Sequence, residues 1–166
     1  MLYPQYILSE RELSFNGIDG NDKRPDFVLV DANGFIDNME IKKPEIRVLS
    51  GKPCYRNNYI PSREFSGSIQ QIEKYLLCLS YLNREKDKFL LKLSAMLPDN
   101  MNAQVVNPQG ILLLSRSNDF NEQQTRDFEI IKRQYKNEVD IMTYDDLMAR
   151  FERIILSLSA LRNNND

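Results

Sequence analysis

Histidine and tryptophan are absent from this 166-residue chain, and cysteine occurs only at Cys54 and Cys78. Without histidine there is no Ser-His-Asp or Cys-His nucleophile system, no His-ligated zinc or iron, and no histidine-based nuclease chemistry. Two cysteines are too few for a disulfide framework or a four-cysteine zinc site, and they fit a reducing compartment. No stretch is apolar for the roughly 18 residues that a membrane span needs. The opening MLYPQYILSERE has no basic segment ahead of an apolar core, so no signal peptide is expected, and the cytoplasm is the expected location. Any chemistry falls to carboxylates, Lys, Arg, Tyr and amides.

What is present reads as one globular domain over residues 1–166, with the Asn-rich end from about residue 162 expected to fray. Hydrophobic residues make up 42% and charged residues 28%, which excludes a disordered or fibrous chain. The formal net charge is only −2, but its distribution is uneven. Between Lys42 and Arg63 stand Lys42, Lys43, Arg47, Lys52, Arg56 and Arg63 against the single acid Glu45, with Tyr55 and Tyr59 among them. A local basic, aromatic stretch on an acidic chain is a candidate phosphate-contacting surface. The alternative is a solvated loop.

The hydrophobic pattern alternates between strands and helices. Residues 27–30 (Phe-Val-Leu-Val) form a continuous apolar run, the pattern of a doubly buried strand. Asn33-Gly34 then predicts a tight hairpin turn and residues 35–43 the returning strand, with Ile36, Asn38, Glu40 and Lys42 on one face. Residues 46–61 read as irregular. A helix is predicted over 63–81, where Phe65, Ile69, Ile72, Leu76 and Leu79 recur at spacings of three and four. A short helical piece over 89–97, a buried strand at 111–114, a helix starting near 118 or 119 and a strand at 139–142 follow. Thr143 with Asp146 three residues on resembles a capping box and opens a last helix to about residue 161. The fold class is α/β, a mixed central sheet flanked by helices. The last helix carries Leu147, Phe151, Ile154, Ile155, Leu158 and Leu161, more apolar positions than one buried face needs, which points to a subunit contact.

Chemistry concentrates at one place. Pro25-Asp26 lies at the mouth of the first buried strand, and Glu40-Ile41-Lys42 follows on its hairpin partner. Two carboxylates side by side at strand ends are a way to hold Mg²⁺, through oxygen ligands with several waters retained. Lys42 projects to the same face as Glu40, where it can reach a bound water or a scissile phosphate. The alternative is that Glu40 and Lys42 are an ordinary same-face ion pair. On the helix at 63–81, Gln71 and Tyr75 lie one turn apart on the shoulder of the apolar stripe, whereas Gln70 points further round. The alternative there is that Tyr75 belongs to the core boundary and Gln71 caps a loop.

PD, E-x-K and Q-x-x-x-Y in this order resemble the signature of the PD-(D/E)XK nucleases. More closely, RPDFVLVDANGFIDNMEIKKP, FSGSIQQIEKYL, PQGILLLSRS and IMTYDDLMARFERII resemble, in that order, the nuclease domain of the Shedu anti-phage defence family. The resemblance covers residues 22 to 160 and implies a restriction-endonuclease-like core in a bacterial, metal-dependent DNA endonuclease. It implies Mg²⁺, with Mn²⁺ as a substitute, held by Asp26, Glu40 and the backbone carbonyl of Ile41. Lys42 would be the catalytic cation and Gln71 the amide that orders the site, supported by Tyr75. It implies DNA contacts from Lys43, Arg47, Lys52, Arg56, Arg63 and Arg116, the last standing where the family often has Gly-Arg. It further implies homo-oligomers (dimers or tetramers) and, in full proteins, an N-terminal regulatory region with no counterpart here. Relatives often add an acid from the first helix, for which Glu10 or Glu12 are the candidates. The competing expectations are a nuclease-fold module that binds DNA or a protein partner without cutting, and a structural domain with no nucleic acid.

Overall fold

The computed structural model describes residues 5–11, 13–82, 87–99 and 101–163. Five strands form the main sheet: β1 (Tyr6–Arg11), β4 (Phe27–Asp31), β5 (Ile36–Ile41), β6 (Gly110–Leu113) and β7 (Val139–Met142), side by side in that order. A two-stranded ribbon, β2 (Phe15–Asn16) with β3 (Asp22–Lys23), stands apart from it. The helices are α1 (Arg63–Ser80), α2 (Lys88–Ser94), α3 (Glu122–Tyr135) and α4 (Tyr144–Asn163). The β1–β4 and β4–β5 pairs are antiparallel, while the β5–β6 and β6–β7 pairs are parallel. The sheet is therefore mixed and flanked by helices, as the alternating pattern implied.

The parallel half requires helical crossovers, and the sequence supplies them: α1 and α2 between β5 and β6, then α3 between β6 and β7. α1 buries Phe65, Ile69, Ile72, Leu76 and Leu79, the stripe expected from its spacing, and Ser62 caps its start by accepting from the Phe65 amide. Its C-terminal half packs with α2 over Val28, Val30 and Ile36, its N-terminal half with α3 over Leu112, Leu114 and Ile141. Close approach of α1 to the sheet depends on Gly110, where a Cβ would come 2.2 Å from Ile72 Cγ2. The opposite sheet face, with Leu29, Ile111, Leu113 and Met142, is met by Tyr144 and Leu147 at the start of α4.

Four local expectations need correction. The Asn33-Gly34 turn has only Gly34 in the left-handed region, at φ 86°. Asp31 organises that loop by accepting the amides of Asn33 and Phe35, which makes the connection longer than a two-residue turn. Helix α3 starts at Glu122, three or four residues later than the expected 118 or 119. Asp145 takes the amides of Ser117 and Asn118, and Asn121 forms a capping box with Gln124. Residues 46–61 are more ordered than irregular: Leu49 bridges Pro61, and Tyr55 bridges Asn58. Finally, residues 6–11 form an edge strand rather than a first helix: they pair with β4, and a bulge between Tyr6 and Leu8 sends Tyr6 to the face of Leu29 and Leu8 to that of Val28 and Val30.

Candidate active site

The site forms where the sheet ladder ends, at the exits of β5 and β6 and the mouth of β4. On β5, Ile36, Asn38 and Glu40 are all buried on the face that α1 covers. Glu40 is only 4% exposed, so its charge needs partners. Its Oε1 accepts from Lys42 Nζ at 2.5 Å and from Gln71 Nε2 at 2.9 Å. Gln71 Oε1 in turn accepts from Lys42 Nζ at 3.0 Å, and Gln71 Nε2 also donates to the Tyr75 hydroxyl at 2.7 Å. Since lysine only donates and the carboxylate only accepts, the Gln71 amide has one consistent orientation. Tyr75, itself buried, bonds the Arg24 carbonyl just ahead of Asp26 at 3.5 Å.

Asp26 is half-buried, and its Oδ2 accepts the Ile41 amide at 2.7 Å. The β4–β5 pairing ends at Phe27–Met39, and its register continued by two residues would set Pro25 opposite Ile41. Proline has no N–H, so Ile41's carbonyl receives no ladder donor from that position. Two oxygen types thus belong to this strand end: the Asp26 carboxylate and a main-chain carbonyl that lacks a ladder donor from Pro25. A third is Glu40 Oε2, buried without a hydrogen-bond partner. Among the described residues no three acids, cysteines or histidines gather in one place. A cation would be held here by two carboxylates, one carbonyl and water, a hard-oxygen set of the kind Mg²⁺ takes. The orphaned Glu40 Oε2 is a buried oxygen that no hydrogen bond already uses, the feature on which such an ion would draw. Both amide atoms of Asn38, one step back on the same face, are likewise buried without partners.

The other predicted residues are distributed as follows. Glu10 lies on β1 opposite Val28, and no hydrogen bond or ion pair ties it to the cluster; Glu12 falls outside the described residues. Lys43, Arg47, Lys52, Arg56 and Arg63 are all exposed. Most belong to the excursion between β5 and α1, which narrows to a hairpin through the Ser50 amide on Ile60 O (2.9 Å) and the Cys54 amide on Asn58 O (3.0 Å). At its tip Arg56 and Asn57 hold φ of 48° and 64°, with the Arg56 guanidinium 5.5 Å from the Tyr55 ring centre. Asp127 of α3 accepts the Tyr59 amide, and Gln123 donates to Asn57 O, so the arm is moored. Arg116 is exposed but engaged with Asp145 at 2.7 Å. A cleft of about 420 Å³ runs between Pro44–Gly51 and Ser115–Phe120, beside the exit of β5.

Tyr144 was not anticipated as part of this region. Its sequence context signalled only a helix start, yet its hydroxyl donates to the Lys42 carbonyl at 2.9 Å. Burial, then the nearby Glu45, pushes its phenol above the usual value, so the proton stays on. The start of α4 is fixed by Asp145 and Asp146. In both, burial pushes the carboxyl up, but main-chain amides (Ser117, Thr143) and cations (Arg116, Lys132) outweigh it and leave the pKa lowered.

A buried carboxylate, a lysine and an orienting amide at the strand ends of a mixed α/β sheet define a domain built around one charged, hydrogen-bonded cluster. The chain belongs to the family described as Shedu protein SduA, C-terminal, whose profile matches residues 3–148, and it is thus a Shedu-type defence domain. A search among curated proteins finds no match. No helix among the described residues is long and apolar enough to cross a membrane.

Proposed function

We propose that this domain is a Mg²⁺-dependent DNA endonuclease with a restriction-endonuclease-like PD-(D/E)XK core, acting in anti-phage defence, with Mn²⁺ able to replace Mg²⁺. The observation that carries the reading is the Glu40–Lys42–Gln71 cluster with Glu40 Oε2 buried and unpartnered beside Asp26. Asp26, Glu40 and the Ile41 carbonyl would hold the ion, which lowers the pKa of a bound water and polarises the phosphoryl oxygen. Lys42 stabilises the charge that develops on the phosphate in the transition state. Gln71 holds Lys42 and Glu40 in mutual register, and Tyr75 holds Gln71. The exposed cations of the 43–63 arm contact the backbone of duplex DNA, a sequence-independent grip. Phe151, Ile154 and Ile155, exposed on α4, support assembly into a dimer or tetramer. One site cuts one strand, so a double-strand break needs two subunits or two encounters.

The test is nicking of supercoiled plasmid with and without Mg²⁺ by the parent, Asp26→Ala, Glu40→Ala and Lys42→Ala proteins. The expected result is metal-dependent nicking lost in all three variants. A variant that nicks at the parent rate overturns the assignment. Salt-dependent DNA binding with no cleavage by the parent would favour the binding-only module.

A further inference from the structure

The ladder between β5 and β6 stops one bond early, at the residue on which the proposed chemistry turns. In this parallel pairing Asn38, Glu40 and Lys42 direct both main-chain groups toward β6. Asn38 donates to Gln109 O at 3.1 Å, and Lys42 to Leu113 O at 2.8 Å. The same spacing would give the Lys42 carbonyl to the amide of Ser115. Ser115 instead sits at φ 56°, a left-handed conformation uncommon for serine, and its amide lies 3.4 Å from Lys43 O. The Lys42 carbonyl is taken up by the Tyr144 hydroxyl at 2.9 Å. Tyr144's own amide closes the frame by donating to Ser115 O at 3.0 Å. A side chain from α4 therefore occupies the position of a strand donor.

We propose that Tyr144 is a positioning residue for Lys42: its hydroxyl replaces the missing ladder bond and fixes the peptide from which the Lys42 side chain is aimed at Glu40 and Gln71. The inference rests on reading Lys42 as the catalytic cation. Lys42 Nζ must meet Glu40 Oε1 and Gln71 Oε1 together, and its side chain is 23% exposed, so packing alone does not confine it. Beyond Lys42 the chain leaves the sheet for the 43–61 arm. Pro44, two residues on, has no amide with which to extend the strand. The hydroxyl and the longer Ser115 amide bond to Lys43 O, at 3.4 Å, are the clamps at the point where the arm begins.

The test compares the parent with Tyr144→Phe, which removes one oxygen, and with Leu147→Ala, which loosens the same turn of α4 against the sheet without touching the hydroxyl. Two readouts need no cleavage: hydrogen exchange of the Lys42 amide, and the ¹⁵N resonance of the Lys42 ammonium paired with Glu40. A third is the single-turnover rate at saturating Mg²⁺ and DNA. Tyr144→Phe is expected to speed Lys42 amide exchange about tenfold, shift the ammonium resonance, and slow cleavage on the order of tenfold with KM unchanged. Exchange at Val30 and Leu112, deep in the core, should stay at the parent rate. An unchanged Lys42 signature overturns the proposal, as does a uniform rise at Lys42, Val30 and Leu112, or the same Lys42 changes in Leu147→Ala. If the parent does not cleave DNA, the nuclease reading falls, and the exchange and resonance data still decide whether Tyr144 holds Lys42.

Discussion

The pair at the centre of the site makes a stability prediction that needs no substrate. Replacing Lys42 by Met keeps the stem and removes the cation, leaving Glu40 with a single donor on Oε1 and none on Oε2. Breaking a buried pair from one side costs about 3–5 kcal/mol, because the remaining charge stays desolvated. Lys42 is 23% exposed at its side chain against 5% for Glu40, which places the loss near the lower end, about 3 kcal/mol. For a domain of this size each kcal/mol moves the melting temperature by about 2–4 °C, so a fall of roughly 6–12 °C is expected. Glu40→Gln in the Lys42→Met background removes the stranded charge and should recover most of that loss. Thermal and denaturant unfolding of the four proteins at pH 7 gives the coupling energy, expected at about 2 kcal/mol or more. On the proposed reading Mg²⁺ would supply the positive charge that Lys42→Met lacks, and it should raise the melting temperature of that variant more than that of Glu40→Gln. A loss below about 1 kcal/mol in Lys42→Met, with coupling near zero, would refute the argument that Glu40 is a buried carboxylate sustained by Lys42.

Gln71→Ala should lower the single-turnover rate by a factor of about ten to a thousand, with Mg²⁺ affinity falling far less than in Asp26→Ala. Gln70→Ala, at an exposed position, should be silent, and equal damage from both would show that the amide geometry is not what matters. Converting Lys52, Arg56 and Arg63 together to Ala should reduce the slope of log K against log salt by up to about 2.7 for unrelated DNA sequences. An unchanged slope would make the arm a solvated loop. Gly67, inside α1, has nothing within 4 Å of where a Cβ would stand, so Gly67→Ala should stabilise by up to about 1 kcal/mol, read as a higher melting temperature. Asp146 has a folded pKa below its ordinary 3.8, so the stability it contributes is complete above that pH and disappears as pH falls through the lowered value. Asp146→Asn should therefore lower the melting temperature at pH 7 and flatten its decline below pH 4, and an unaltered acid limb would count against that linkage.

Elements with strong periodicity are legible in the sequence, and so is the meeting of Glu40, Lys42, Gln71 and Tyr75 that depends on them. Strand alternation put Asn38, Glu40 and Lys42 on one face, and helical spacing put Gln71 rather than Gln70 toward it. Both follow from backbone geometry that tertiary packing has little freedom to override. Edge strand β1 was missed because Leu8 and Ser9 precede a run of charge, Glu10-Arg11, and edge positions carry polar residues that blur the period. The 46–61 arm was read as irregular because its order comes from long-range bonds, the Tyr59 amide on Asp127 and Gln123 on Asn57, which no local pattern encodes. Tyr144 was invisible for the same reason: its partner lies 102 residues away.

Two backbone exceptions at the same end of the sheet make this region chemically different from the rest. At Pro25, just past the end of the β4–β5 pairing, no N–H is available for the Ile41 carbonyl, and the Ile41 amide goes to the Asp26 carboxylate. At Ser115, a left-handed residue, the amide goes to Lys43 O rather than Lys42 O, and Tyr144 takes the Lys42 carbonyl instead. Elsewhere β5 is locked on both sides by regular pairing, so its main-chain groups have no capacity to spare. Between the two exceptions lie Ile41 and Lys42, flanked by Glu40, whose outer oxygen is also without a partner. A cation site needs oxygen atoms that folding has not already used, and a catalytic lysine needs a strand end that does not fray. On the proposed nuclease reading, the missing donor at Pro25 would supply the first requirement and the Tyr144 hydroxyl the second. Pro25→Ala should show it: an amide restored opposite Ile41 would compete for the carbonyl and weaken Mg²⁺ binding, measured by calorimetric titration, while leaving the fold intact. Unaltered Mg²⁺ affinity in Pro25→Ala would mean that the Ile41 carbonyl takes no part in holding the ion.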